Sequence, residues 1–242
     1  MKTFFCFVIG LFLFSFPVKA ANYSLVDNIA KNAKEYPNLR TLVKEITKSL
    51  RSDEEKARVI YAWIVYHIEY DDYKASVIIG GTTREKNRLH KIDNDIYKTR
   101  TGVCADIADL YQKMAQIAGL ESVYISGYAG RNMTKRNLDE HGHAWNAVKI
   151  KGKWQLVDAT WGINGGNFGS DIKNASRYKY ELQKRERDKK GRRATKNKAI
   201  DNSYFLTEPK ELIKTHYPRD EKWQLIKPTK TLNRFLREQK NN

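Results

Sequence analysis

Two alternating segments joined by a two-residue turn constrain the fold more than any other feature of the sequence. HAWNAVKI begins at His143, KWQLVDAT follows, and the residues between them, 151–152, are Lys-Gly. Alternating apolar side chains around a short turn that ends in glycine are typical of a β-hairpin. With residues 151–152 at the turn, the numbers of paired residues sum to 303, and His143 and Asp158 are diagonal neighbours on one face. A register that sums to 301 sets them directly opposite, and either odd sum keeps them on the same face. The sequence therefore predicts a contact between an imidazole and a carboxylate.

The segment GVCADIADLYQKMAQIAGL predicts a helix that begins at Cys104 and ends near Ala118. Apolar residues recur in it at helical spacing, and Gly119 follows as a stop. A thiol with an ordinary pKa near 8.5 is only about 3% thiolate at pH 7, and a helix N-terminus shifts that pKa by roughly 0.2 to 1.5 units. We therefore expect a histidine to complete the activation and an acid to orient it, and His143 and Asp158 are the candidates.

The remaining histidines are weaker candidates for this role. His141 lies two residues before His143 in a polar loop and is the competing candidate base. His67 lies on the apolar face of a helix and is interpreted as a core or edge residue. His90 and His216 lie in polar stretches without a paired acid nearby, and we interpret both as surface residues.

The N-terminal third is predicted to be helical. Apolar residues from Leu39 to Leu50 follow helical spacing, and Ser52 with Glu55 predicts a capping box at the start of a second helix. The stretch from Thr82 to Lys98 is polar and is interpreted as a loop. Its DND at 93–95 resembles a fragment of a calcium loop, but the glycine and the distal glutamate of such a loop are missing. We therefore predict no metal site.

An apolar run from Phe4 to Phe16 predicts export. Small residues occupy the positions that signal peptidase reads, ending at Ala20. We expect residues 1–20 to be a signal peptide and the mature chain to be secreted or periplasmic, with a retained anchor as the alternative. Cleavage removes Cys6, which leaves Cys104 as the single cysteine of the mature chain. In an oxidising compartment a lone thiol is either a liability or a reactive group kept for use.

The charge of the chain favours anionic partners. The net charge is +17, and loss of the two lysines of the leader lowers it to +15. Ten basic and three acidic residues lie between Lys179 and Lys198. We expect this stretch to contact an anionic envelope or membrane surface, and a variable charged loop is the alternative. Nucleic acid is not an expected partner of an exported chain.

Three blocks together resemble the transglutaminase-like superfamily, namely AWIVYHIEYD, GVCADIADLYQKMAQIAGL and HAWNAVKIKGKWQLVDATWG. They contain the Gly-x-Cys, His-Ala-Trp-Asn and Asp-x-Thr-Trp-Gly motifs in the order of that family. The late segment YFLTEPKELIKTHYPRDEKWQLI looks most like the kyphoscoliosis-peptidase and cytokinesis-protein branch. The resemblance extends from about Ser52 to Ile226, apart from the basic stretch at about 173–202.

The resemblance implies an α+β, papain-like fold, in which N-terminal helices accompany a cysteine helix packed on an antiparallel sheet. It also implies thiol acyl transfer by Cys104, His143 and Asp158 on a protein or peptide substrate, without a cofactor. The Cys104 N–H is one expected oxyanion donor, and Tyr70 and Tyr97 are candidates for the second. The other matched residues are expected to wall or orient the site: Gly102, Trp145, Asn146 and Trp161.

We expect a helical segment at 21–51, a catalytic core at 52–172, a basic insertion at 173–202 and a C-terminal part of the same domain at 203–242. Three functions stay open at this stage. The favoured one is a peptidase or amidase, the second is a cross-linking transglutaminase that passes the acyl group to an amine, and the third is a non-catalytic envelope-binding module. The motifs do not separate the first two, because both use the same three residues.

Overall fold

The computed structural model describes residues 22–89, 95–164 and 199–239. The expected leader, His90, Asp93 and the basic stretch Lys179–Lys198 lie outside these residues. Within the described ranges, no helix has the length and apolar character needed to cross a membrane.

Residues 22–67 form three helices: α1 (Ser24–Lys31), α2 (Leu39–Thr47) and α3 (Asp53–His67). The predicted capping box at the start of α3 is confirmed, because Ser52 Oγ accepts from the Glu55 N–H at 3.2 Å and Glu55 Oε2 accepts from the Ser52 N–H at 3.1 Å. Every residue of α3 from 57 to 65 is buried. This helix is therefore central to the main hydrophobic core.

Short elements connect α3 to the cysteine helix: β1 (Glu69–Tyr70), α4 (Asp72–Gly80), α5 (Thr83–Leu89), α6 (Ile96–Thr99) and β2 (Thr101–Gly102). Strands β1 and β2 pair in parallel. The prediction of a loop from Thr82 to Lys98 is wrong for residues 83–89 and 96–98, which are helical, because the polar residues before them cap helices. Thr82 and Glu85 exchange hydrogen bonds at the start of α5, and Asp95 accepts from the Tyr97 N–H at the start of α6. Asp95, which resembles part of a calcium loop in the sequence, is a helix cap.

Five strands form one antiparallel sheet, and they are β3 (Ser122–Ala129), β4 (Gly142–Ile150), β5 (Lys153–Val157), β6 (Phe205–Thr207) and β7 (His216–Pro218). Their order is β6-β5-β4-β3-β7. Both edge strands come from the C-terminal part of the chain. A one-turn helix, Leu138–His141, precedes β4.

The predicted hairpin register is confirmed, since Ile150 pairs with Lys153 and Asn146 with Val157. The second strand is shorter than predicted. It ends at Val157, and α8 (Ala159–Asn164) begins one residue after Asp158. Asp158 therefore lies at a strand-to-helix junction, and no strand pairing extends to Thr160.

The cysteine helix α7 (Cys104–Ile117) packs between α3 and strands β3 and β4. It ends as predicted, with Gly119 in the left-handed conformation at φ = +82°. The C-terminal elements complete the described chain: the one-turn helices Asn202–Tyr204 and Glu221–Gln224, α9 (Pro209–Leu212) and α10 (Leu232–Glu238). The expected α+β architecture, with the cysteine helix on an antiparallel sheet and helices before it, is confirmed.

Candidate active site

Cys104 is the first residue of α7 and the one free cysteine of the described residues. The residue is half-buried. The helix start is fixed by Asp106, whose carboxylate accepts from the Val103 N–H at 2.9 Å and binds Lys74 Nζ at 2.7 Å. The thiol therefore lies at the positive end of a helix of 14 residues.

Gly102 is required by the close approach of its neighbours. A Cβ at this position would lie 2.6 Å from Ile96 Cδ1 and 2.9 Å from Asp106 Cβ. Its carbonyl accepts from the Asp71 N–H at 3.0 Å, and it pairs with Tyr70 across β1 and β2. The Gly-x-Cys turn thus joins the cysteine helix to the strand that carries Tyr70.

His143 and Asp158 are in direct contact, with 2.7 Å between His143 Nε2 and Asp158 Oδ2. The carboxylate is fully buried, and the imidazole is 8% exposed. An ionised carboxylate can only accept, so Nε2 of His143 carries a proton. Cys104 is the other hydrogen-bonding partner of the ring, which assigns Nδ1 of His143 to the thiol.

Burial and polar contacts act in opposite directions on the pKa of all three groups. Burial alone lowers the pKa of His143, but the charge and hydrogen bond of Asp158, together with Cys104, raise it to about 10. Burial alone raises the pKa of Asp158, but the charge of His143 and the hydrogen bonds of His143 and His216 hold it well below its ordinary value. Burial also raises the pKa of Cys104, whereas hydrogen bonds from His143 and the Ala144 N–H lower it, and the net direction is down. All three directions favour a thiolate, an imidazolium and a carboxylate at neutral pH.

His216 is also part of this network, and its interpretation as a surface residue is wrong. Its side chain is 1% exposed, and its Nε2 lies 3.0 Å from Asp158 Oδ2. The other carboxylate oxygen, Oδ1, accepts from the backbone N–H of Trp161 at 3.0 Å. The local sequence carries little signal for this contact, because β7 is three residues long and 58 residues separate the two partners.

Two tryptophans enclose the histidines. Trp145 is buried and stacks on His143 with ring centroids 5.9 Å apart, and Trp161 packs against His216 at 4.4 Å. Asn146 has a different position. Its amide donates to backbone carbonyls of α7 and β3 at 3.0 and 3.2 Å, so it ties the cysteine helix to the sheet.

The two tyrosine candidates for oxyanion stabilisation lie in different surroundings. Tyr97 packs on Trp63, and its hydroxyl donates to the Tyr36 carbonyl at 2.7 Å, so it does not serve the site as expected. Tyr70 pairs with Gly102 across β1 and β2, two residues before Cys104. Burial and the charge of Cys104 both raise the pKa of its phenol, which stays a donor at neutral pH.

Two other histidines bind carbonyl oxygens. His141 Nδ1 lies 3.3 Å from the Ala129 carbonyl oxygen, and His67 Nε2 lies 2.8 Å from that of Ala30. His143, Asp158 and His216 place one ligand atom each within 4.8 Å of the others, as a metal site would. Both Nε2 atoms, however, carry protons that the carboxylate accepts, so the trio forms a hydrogen-bond network as it stands.

Comparison with known proteins matches residues 40–159 to the family model of the transglutaminase-like superfamily. The chain is 31% identical over 224 residues to kyphoscoliosis peptidase of Mus musculus and 30% identical over 216 residues to that of Homo sapiens. It is 27% identical over 223 residues to hillarin of Drosophila melanogaster. These alignments cover 91%, 88% and 87% of this chain but only 29%, 28% and 24% of the relatives. The chain thus spans less than a third of the length of the curated relatives it matches.

Proposed function

Residues 40–159 of this chain belong to the transglutaminase-like superfamily, and on that premise we propose that it is a thiol enzyme that hydrolyses carboxamide or peptide bonds. The observation that carries the proposal is the linked series of contacts from Cys104 through His143 to Asp158. A buried carboxylate, an oriented imidazole and a half-buried cysteine at a helix N-terminus are the parts that nucleophilic acyl transfer requires.

The proposed reaction has two halves. In the first, the Cys104 thiolate attacks the carbonyl carbon, and the resulting oxyanion collapses to a thioester as His143 Nδ1 donates its proton to the leaving amine. In the second, neutral His143 takes a proton from water, the hydroxide attacks the thioester, and the thiolate leaves as the carboxylic acid forms. The imidazole ends each turnover protonated and Cys104 ends it as thiolate, so no other reactant is needed.

Two donors near Cys104 suit the oxyanion of both halves. The Cys104 backbone N–H belongs to the first turn of α7, where N–H groups have no acceptor within the helix. The Tyr70 hydroxyl, held neutral by its raised pKa, is the proposed second donor.

The name of the two most similar relatives reported above supports hydrolysis over transfer to an amine, since both are called kyphoscoliosis peptidase. We also propose a protein or peptide substrate and a location outside the cytoplasm. The names of those relatives support the substrate class, the apolar run Phe4–Phe16 supports the location, and the net charge of +17 favours an anionic partner. The same charge supports a contact between Lys179–Lys198 and an anionic surface.

Incubating the purified chain with a glutamine-containing protein, with and without a fluorescent primary amine, tests the proposed function. We expect peptide fragments or released ammonia from the wild type and none from Cys104→Ala, with little amine incorporated. Amine incorporation that exceeds hydrolysis would make the chain a cross-linking enzyme. If wild type and Cys104→Ala behave alike in both assays across a panel of protein substrates, the chain is a binding module.

A further inference from the structure

His216 occupies a position from which it reaches the candidate triad across the sheet. It starts the edge strand β7 and pairs with Ala129 of β3, whereas His143 pairs with Gly127 of the same strand on its other side. The two imidazole centroids are 5.6 Å apart. A Cβ at Gly127 would lie 2.5 Å from the Trp145 ring, so the absent side chain makes room for the tryptophan that packs on both histidines.

The hydrogen bonds of His216 define its protonation state. The carboxylate of Asp158 only accepts, so His216 Nε2 carries a proton. Nδ1 lies 2.8 Å from Thr215 Oγ1, and the same hydroxyl donates to the Leu212 carbonyl at 3.4 Å. Burial lowers the pKa of His216, and the hydrogen bond and charge of Asp158 do not fully reverse this shift. The lowered pKa and the contact between Nε2 and Oδ2 together make His216 a neutral donor to Asp158.

We infer that His216 is a positioning residue that keeps Asp158 ionised and aligned while His143 is uncharged in the acyl-enzyme. This inference rests on the proposed function. In the resting enzyme, the imidazolium of His143 balances the buried carboxylate. After His143 has given its proton to the leaving amine, that balance is lost, and a buried carboxylate without a cation tends to take up a proton. A protonated Asp158 could no longer orient His143 for the attack of water.

A neutral donor suits this task better than a cation. A lysine or arginine in place of His216 would hold Asp158 ionised but would also repel the imidazolium and lower its pKa. When His143 is neutral, its Nε2–H still donates to Asp158, and His216 and the Trp161 N–H add two further uncharged donors. The other titratable groups that act on Asp158 are Cys104 and three tyrosines, which their raised pKa values keep neutral: Tyr61, Tyr70 and Tyr204.

The burst kinetics of p-nitrophenyl acetate hydrolysis separate the two halves of the reaction, because the burst reports acylation of Cys104 and the steady state reports hydrolysis of the thioester. For His216→Phe, which keeps a ring and loses the donor, we expect the steady-state rate to fall about tenfold or more. In the pH profile of the steady-state rate, the acid limb, where the rate falls at low pH, should move up by about one pH unit. The burst rate should change less. His216→Gln places an amide N–H near the position of Nε2 and should stay within about threefold of wild type. His141→Phe is the matched control and should leave both phases unchanged.

The outcomes distinguish this inference from the proposed function. A wild type without a burst beyond that of Cys104→Ala contradicts both. If the wild type shows a burst but the acid limb of the steady-state rate is not shifted in His216→Phe, the inference alone is contradicted. An equal slowing of both phases in His216→Phe also contradicts it, because a packing role would have that effect. Thermal unfolding checks that each variant folds. If His216→Phe does not fold, Thr215→Val decides, because it removes the hydroxyl beside Nδ1 of His216. It should shift the acid limb of the steady-state rate in the same direction by a smaller amount.

Discussion

Replacing Asp158 by asparagine is expected to break the network with almost no change in side-chain volume. Oδ2 accepts from the rings of His143 and His216 at 2.7 and 3.0 Å, and Oδ1 accepts from the backbone N–H of Trp161 at 3.0 Å. An amide has one accepting and one donating edge. In either orientation, the amide of the variant points its own N–H groups at a buried N–H.

The expected loss of stability follows from the pKa of His143. That pKa is raised from 6.5 to about 10, and at about 1.4 kcal/mol for each pKa unit the change corresponds to about 5 kcal/mol. Cys104 contributes part of it. Because buried ion pairs that lose one partner cost about 3–5 kcal/mol, we expect Asp158→Asn to lower the free energy of unfolding by about 3–5 kcal/mol near pH 6.

The loss of stability in Asp158→Asn depends on pH, because His143 and Asp158 both change their pKa on folding. The pKa of His143 is raised on folding, so its contribution is complete below about pH 6.5 and is lost as the pH rises through about 10. The pKa of Asp158 is lowered on folding, so its contribution is present above its unfolded value of about 3.9 and is lost at lower pH. The difference between wild type and variant should be largest between about pH 4 and 6.5.

Urea denaturation of both proteins from pH 4 to 10 measures this difference. Asp109→Asn is the matched control, because Asp109 lies on the same helix as Cys104 and its pair with Lys113 is exposed. That control should change the free energy of unfolding by less than about 0.5 kcal/mol at every pH. A loss below about 1 kcal/mol for Asp158→Asn at pH 6, or a loss that does not vary with pH, would refute the reasoning.

Three further substitutions test separate parts of the structure. Gly102→Ala adds a methyl group that clashes with two side chains, and it should lower the free energy of unfolding in urea by about 1–3 kcal/mol. Gly80→Ala is the control and should not lower it, because a Cβ there meets no neighbouring atom within 4 Å. Equal effects of the two substitutions would contradict the steric argument. Arg58→Ala removes a 1% exposed guanidinium that binds Asp27 through two bonds of 2.7 and 2.8 Å. It should cost about 3–5 kcal/mol by the same measurement, and a loss below about 1 kcal/mol would show that the pair adds little. Tyr70→Phe should lower kcat for an amide substrate by about 100-fold with KM nearly constant, and an unchanged kcat would remove Tyr70 as an oxyanion donor.

Local signals in the sequence were sufficient for much of the fold. The capping box at Ser52, the glycine stop at Gly119 and the Lys-Gly hairpin turn each involve residues a few positions apart, and the structure has all three. The contact between His143 and Asp158 follows from the same hairpin, because pairing parity decides which side chains share a face.

The parts that the sequence did not reveal depend on distant contacts or on short elements. His216 lies in a three-residue edge strand whose partner, β3, is far away in sequence, so neither periodicity nor spacing connects it to Asp158. Polar residues around Thr82 and Asp95 are typical of loops, yet in the folded chain they cap two short helices. The hydroxyl of Tyr97 is bound by a carbonyl oxygen 61 residues away, which no local pattern indicates.

The most direct test of the account is the rate at which iodoacetamide alkylates Cys104 as a function of pH, with Cys104→Ala as the blank and His143→Ala as the perturbed protein. We predict a wild-type midpoint below the ordinary value of a cysteine thiol, because His143 and the Ala144 N–H lower the pKa of the thiol more than burial raises it. In His143→Ala the Ala144 N–H and the helix N-terminus still lower the pKa of the thiol, but burial raises it, so the midpoint should rise to about 8.5 or higher. A wild-type midpoint near 8.5 that His143→Ala leaves unchanged would contradict the claim that this chain holds an activated thiol.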